Sequence, residues 1–126
     1  MKKFTSVITT AGAAALLATG MGFSGATMAN DAGMSESAKK GKEIAFARGE
    51  GNCLACHQIK GGNLAGNIGP ALIAMEARYP DREDLVEVIY DPRKKFGDQT
   101  IMPPMGASNF LSDEEINLIV DYLYTL

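Results

Sequence analysis

The sequence is poor in the side chains from which most active sites and metal sites are made. Among 126 residues there is one His and there are two Cys. A structural zinc site needs four ligands drawn mainly from Cys and His, so zinc is short of partners here. Past the two Cys there is no free thiol and past His57 no second imidazole, so no paired nucleophile and base can be assembled for covalent catalysis. Basic charge is also scarce: 12 Lys and Arg stand against 15 Asp and Glu. That balance argues against nucleic acid as a partner, because phosphate neutralisation by Lys and Arg drives such binding. Long apolar runs are missing. The mildly apolar stretch from Phe4 to Leu17 is diluted by Thr, Gly and Ala and is too short to span a bilayer. Coming after Lys2-Lys3, it reads instead as the hydrophobic region of a secretory signal peptide. Small residues at Thr27 and Ala29 suit cleavage after Ala29, with Ser24 and Ala26 as a nearby alternative. The expected organisation is a signal peptide over 1–29 and a single domain over 30–126. No internal repeat or low-complexity tract appears in that domain.

What the chain does have is Cys53-Leu54-Ala55-Cys56-His57. A Cys-x-x-Cys-His run lets two thiols add across the vinyl groups of a haem while the adjacent imidazole ligates the iron. A dithiol redox pair is the rival reading. It would sit at a helix N-terminus after a strand, and no strand-rich segment precedes Cys53. The expected cofactor is therefore one haem c, held by Cys53 and Cys56 with His57 as one axial ligand. Export and haem attachment support each other, since an unfolded apo chain can cross the membrane and receive its haem beyond it. The inferred compartment is the periplasm. A domain this small buries a modest share of its surface, so the haem is expected to fill much of the core.

The rest of the chain reads as helices and loops around that motif. Asn30 to Glu36 suits a flexible lead-in. A first helix is expected from about Ser37 to Arg48, ended by Gly49 and Gly51. The Gly-rich stretch after His57 leads to Gly69-Pro70-Ala71-Leu72. The Pro70 carbonyl is the candidate acceptor for the second ring N–H of His57, with a simple turn before a helix as the alternative. A short helix from Leu72 to Arg78 and a clearer one from about Arg82 to Tyr90 follow. Asp81 caps the latter, Leu85, Val86, Val88 and Ile89 form its stripe, and Asp91-Pro92 stops it. Arg78 could reach a haem propionate, although a solvated or salt-bridged Arg is the commoner case. Arg93-Lys94-Lys95 is a basic cluster that could face an acidic partner, or simply a solvated charged loop.

Thr100-Ile101-Met102-Pro103-Pro104-Met105-Gly106 is the second informative stretch. A thioether can take the iron face opposite His57, and His/Met ligation raises the reduction potential. Met34 in the lead-in and Met75 in a helix read as packing or solvent-facing residues. The choice falls between Met102 and Met105. Met102 is favoured, because the two prolines stiffen the segment behind it, and Met105 is then an apolar filler. Ser112-Asp113-Glu114-Glu115 makes a capping box for a last helix with Ile116, Ile119, Val120 and Leu123 on its apolar face. First and last helices are expected to pack across each other, with Gly41 permitting close approach.

These elements, in this order, resemble class I cytochromes c over nearly the whole of 30–126. In detail, Gly51-Asn52-Cys53-Leu54-Ala55-Cys56-His57, Gly66-Asn67-Ile68-Gly69-Pro70, Arg78-Tyr79-Pro80-Asp81-Arg82 and Met102-Pro103-Pro104 with Gly106 look like the SoxX family. The resemblance implies an all-α fold, a small class I cytochrome c, with His57 and Met102 as axial ligands. It also implies an electron-transfer subunit of a SoxAX complex, an L-cysteine S-thiosulfotransferase that joins thiosulfate to a cysteine of a SoxYZ-like carrier protein. In that family a SoxA-like haem subunit holds the catalytic site, and the X subunit passes electrons to a small cytochrome c or similar acceptor. Met105 departs from the family pattern, where an aromatic commonly follows the prolines. Residue chemistry alone leaves open a free-standing periplasmic electron shuttle, and an open-haem enzyme if the Met102 position were labile.

Overall fold

The computed structural model describes residues 33–126, so the expected signal peptide lies outside the described residues. The described chain is helical: α1 (Glu36–Phe46), α2 (Met75–Arg78), α3 (Arg82–Tyr90), α4 (Arg93–Phe96) and α5 (Asp113–Leu123), with a 3-10 turn at Cys53–Ala55. Among the described residues the only β feature is an isolated parallel bridge between Ile59 and Leu72.

The first helix starts one residue earlier than expected, because Ser35 and not a later serine is its cap. The Ser35 hydroxyl accepts from the Ala38 amide at 3.1 Å and lies 2.9 Å from the Ser37 hydroxyl, which also bonds the Asp121 carboxyl. Its end also comes earlier than Arg48. Ala47 leaves the helical region, and the amides of Gly51 and Asn52 fold back to the carbonyls of Ile44 (3.1 Å) and Ala47 (3.0 Å). Small residues, Ala38, Gly41 and Ala45, form the buried stripe of α1. That stripe lies directly on the backbone of α5. A Cβ on Gly41 would overlap the Leu118 carbonyl, so the absence of a side chain sets how closely the two helices cross. Phe46 and Tyr122 seal the crossing edge-to-face, with centroids 5.9 Å apart. Met34 is half-buried against this core and its sulfur accepts from the Thr125 hydroxyl at 3.6 Å, so the lead-in is already packed there rather than loose.

The capping box of α5 is complete. Ser112 accepts from the Glu115 amide at 3.3 Å and Glu115 accepts from the Ser112 amide at 2.7 Å. Those bonds hold the Glu115 carboxyl below its usual range. Ile116, Ile119, Val120, Tyr122 and Leu123 are buried. The third helix is capped by Asp81 as expected and buries Leu85, Val88 and Ile89, with Val86 half-buried. At its start Arg82 reaches α5, donating to Asn117 and, at 2.7 Å, to Asp121.

Burial works to raise the Asp121 carboxyl, but the bonds from Arg82 and Ser37 outweigh it and the pKa is lowered. A carboxylate with a depressed folded pKa contributes stability above its unfolded pKa and loses it as pH falls through the folded value. Asp121→Asn should therefore cost about 1 kcal/mol or less at neutral pH, since both partners are partly exposed. Chemical denaturation at neutral pH and again below the carboxylate range should show the difference shrinking with acid. A difference that stays constant would mean the ion pair is not its source.

Two expectations change at the middle of the chain. The short helix begins at Met75 and not at Leu72, because Leu72 is used in the bridge to Ile59 and Ala74 takes a left-handed conformation (φ 49°). The basic cluster is a helical turn, α4, rather than a loop, and its charges are answered within the chain. Arg93 pairs with Asp91 at 2.7 Å, Lys94 with Glu87 at 3.0 Å and Lys95 with Asp84 at 3.4 Å. These pairs leave little unbalanced charge there for an acidic partner.

Candidate functional site

The site begins where α1 ends. Asn52 adopts the left-handed region (φ 47°), which Asn tolerates better than most residues, and this reverses the chain into the 3-10 turn. The Cys53 carbonyl then accepts from the amides of Cys56 (3.2 Å) and His57 (2.9 Å). A turn this tight brings Cys53, Cys56 and His57 together on the wall of one cavity of about 560 Å³. The following loop doubles back beneath it, with Gly66 N–H on the Leu54 carbonyl (2.7 Å) and Gly69 N–H on the Cys56 carbonyl (2.8 Å).

That loop delivers Pro70. Its carbonyl lies 2.7 Å from Nδ1 of His57. A carbonyl can only accept, so the proton is assigned to Nδ1 and the lone pair to Nε2, the tautomer a metal ligand needs. Gly69 lies against the imidazole face, where a Cβ would overlap the ring. The ring is thus held in both orientation and tautomer by two consecutive residues.

Burial pushes the Cys53 thiol up to about 11. A redox-active or nucleophilic cysteine needs the opposite shift, so the partly buried Cys53 is unsuited to dithiol exchange.

Met102 and Met105 both contribute to the wall of the same cavity and both are half-buried. The structure brings the two candidates to the same cavity, so lining alone does not choose between them. Met102 follows Thr100, whose hydroxyl accepts a long 3.4 Å bond from its amide. Met105 is fixed differently: its amide bonds the Ile89 carbonyl at 3.2 Å, and its carbonyl accepts from Phe110 and Leu111. Met75 is 2 % exposed and belongs to the cavity wall, as packing. Its sulfur accepts from Arg78 at 3.5 Å, and the same guanidinium group donates to the Ala71 carbonyl at 3.0 Å. Arg78 therefore lines the cavity next to the Pro70 loop.

The remaining wall is mainly apolar. Leu85, Val88 and Ile89 of α3 and Ile119 and Leu123 of α5 face it, which the buried stripes of those helices foreshadow. Sequence reasoning did not single out Phe96, Gln99 or Ile101, which also line it and lie exposed. They lie in an exposed stretch around α4 and the loop after it, where no buried stripe marks them. An apolar cavity of a size suited to a cofactor, edged by two thiols and an imidazole with its tautomer fixed, fits a covalently attached haem.

Among the described residues, no helix is long and apolar enough to cross a membrane. A comparison with curated proteins found no match. A family profile described as Cytochrome c matches residues 38–126, from the first turn of α1 through the last residue. With its all-helical class I architecture and this site, the chain belongs to the cytochrome c family, whose members carry covalently bound haem c and use it for electron transfer.

Proposed function

We propose that this chain is a SoxX-like electron-transfer subunit acting in the periplasm, in which Cys53 and Cys56 tether the single haem and His57 and Met102 are its axial ligands. The observation that carries the ligand set is the His57–Pro70 contact, which leaves the Nε2 lone pair available to a metal, in a cavity that also receives the methionine segment. Bound there, haem supplies one-electron chemistry at the raised potential typical of a nitrogen and a thioether ligand. The chain's own residues do the rest. Pro70 keeps the proton on Nδ1, Gly69 holds the imidazole plane, and the walls from α3 and α5 exclude water. Pro103 and Pro104 restrict the backbone between Met102 and the fixed Met105, which reduces the entropy lost on holding the thioether in place.

The motif combination supports the finer assignment. Arg78-Tyr79-Pro80-Asp81-Arg82 is a compact structural unit here: Arg78 braces the Pro70 loop, the Tyr79 carbonyl accepts from Tyr124 at 2.7 Å, Asp81 caps α3 and Arg82 joins α3 to α5. A SoxA-like haem subunit would supply the catalytic site, a SoxYZ-like protein the carrier cysteine, and a small cytochrome c or similar protein the electron acceptor.

Held by both His57 and Met102, the iron would have no vacant position, and the chain has no second His and no Cys beyond the two tethers, which supports sulfur–sulfur bond formation on the partner. The isolated holoprotein should therefore accept and donate electrons yet leave the carrier unmodified after incubation with thiosulfate and an electron acceptor. Adding a SoxA-like subunit should produce the thiosulfonate mass on the carrier. If the chain adds that mass alone, the subunit role is wrong and an open-haem enzyme is right. Native pull-down separates the remaining reading, since a free shuttle would be recovered without a second haem protein.

A further inference from the structure

The methionine segment is mounted on the carboxyl end of α3. The last carbonyls of a helix have no partner within it and are usually met by a terminal glycine turn or by water. Here they are met by the methionine loop. The Ile89 carbonyl accepts from Met105 at 3.2 Å, and the Tyr90 carbonyl accepts from Gly106 and Ala107, each at 3.1 Å. The loop is then knotted behind this seat. Ser108 N–H returns to the Pro104 carbonyl, Asn109 N–H to Gly106, and both Phe110 and Leu111 to Met105, all between 2.9 and 3.0 Å.

Gly106 sits at the centre of the seat and is buried. It does not take a positive φ, unlike Gly33, Gly61 and Gly97, so its backbone conformation is open to any residue. What the position lacks room for is a side chain. A Cβ built there would overlap the ring of Tyr90 at Cδ2, with Cε2 and Cγ also far inside contact distance. Tyr90 is the last residue of α3 and is 37 % exposed, so a Cβ at Gly106 either turns its ring toward solvent or lifts the loop from the helix end that carries its three bonds.

We infer that Gly106 is a positioning residue for the sixth ligand: by meeting the face of Tyr90 without a side chain, it sets how deeply the methionine loop seats on α3 and so whether the Met102 sulfur reaches the iron. The chain of contacts is short. Gly106 adjoins Met105, whose amide and carbonyl are both tied, and the two prolines transmit that anchorage to Met102. A methyl group at Gly106 lifts the loop from its seat, leaving haem attachment and the His57 side untouched. This rests on Met102 being the ligand.

The test uses oxidised holoprotein. In Gly106→Ala the near-infrared sulfur-to-iron charge-transfer band should weaken, and added imidazole should bind roughly ten- to hundredfold more tightly as it competes with a poorly held thioether. Gly106→Ala combined with Tyr90→Ala should recover both properties to the level of Tyr90→Ala alone, because the ring that opposed the methyl is gone. A merely structural glycine would not show this rescue. If Gly106→Ala keeps the band and the imidazole affinity, or if the double variant is no better than the single one, the inference falls. Met102→Ala separates the two failures: a band that survives there overturns the ligand assignment, whereas a band lost there but kept in Gly106→Ala overturns only the role of Gly106.

Discussion

Replacing Cys53 and Cys56 together by serine is expected to give a chain that carries no covalent haem and has no stable folded core. The reason lies in what packs on what. Helix α1 lies on α5, and α3 touches α5 and α4. Elsewhere the described domain closes around the cavity of about 560 Å³ walled by Leu72, Met75, Leu85, Val88, Ile89, Leu111, Ile119 and Leu123. With that space filled by a porphyrin these side chains have apolar neighbours on every side. Without it these residues, 1–8 % exposed, keep their protein neighbours but border an empty or water-filled cavity, whose whole cost is at least that of one or two large core truncations, ~2–5 kcal/mol each. A small domain has only ~5–15 kcal/mol of net stability to lose, so a cost on that scale suffices. Haem staining after denaturing electrophoresis and far-ultraviolet circular dichroism of the purified chain are the measurements. A stained band that survives the double change would refute attachment through these residues.

Met102→Ala is the second change with a large expected effect. The oxidised protein should lose its charge-transfer band, and its reduction potential should fall by on the order of a hundred millivolts, well within the ~0.8 V that axial ligands span. Covalent haem should remain, since Cys53, Cys56 and His57 belong to a different segment of the cavity lining, fixed by its own backbone hydrogen bonds. Met105→Ala should keep the band and cost about 1–3 kcal/mol as a half-buried packing residue whose backbone, not its sulfur, is fixed. Absorbance beyond the visible and redox titration of both variants decide the matter. Exchanged outcomes would move the ligand from Met102 to Met105.

Those two predictions stand on residues that the sequence announced, and the reason is that their chemistry is local. The Cys-x-x-Cys-His spacing, the Ser112–Glu115 box and the Asp81 cap each lie within five residues and work through the adjoining backbone. Helix ends were less legible where distant groups compete for the same backbone. Leu72 was assigned to a helix but pairs with Ile59, and Ser37, near the expected start of α1, is occupied by Asp121. The neutralisation of Arg93, Lys94 and Lys95 was hidden for a related reason. Two of their partners, Glu87 and Asp84, lie on α3, and only the turn at Asp91-Pro92 brings them near. Gly41 was legible as a close-packing residue, but that it meets the Leu118 carbonyl was not. Gly106 gave no sign at all of the tyrosine ring that excludes its side chain.

The Gly41–Leu118 crossing also governs the order in which the domain can come together. It joins the first helix to the last, so the loop it closes contains the haem-attachment turn, α2, α3, α4 and the methionine segment. Closing a chain loop costs entropy that grows with the logarithm of its length, and contacts this far apart form slowly unless the intervening chain is already condensed. Backbone-to-backbone contact tolerates no slack, so the two helices cannot dock in an approximate register and adjust later. Cys53 and Cys56 lie so close together that joining both to one ring leaves this loop almost as long, whereas ligation by Met102 as well as His57 would bypass much of it. The mating of the two ends is thus the latch over everything that lies between them.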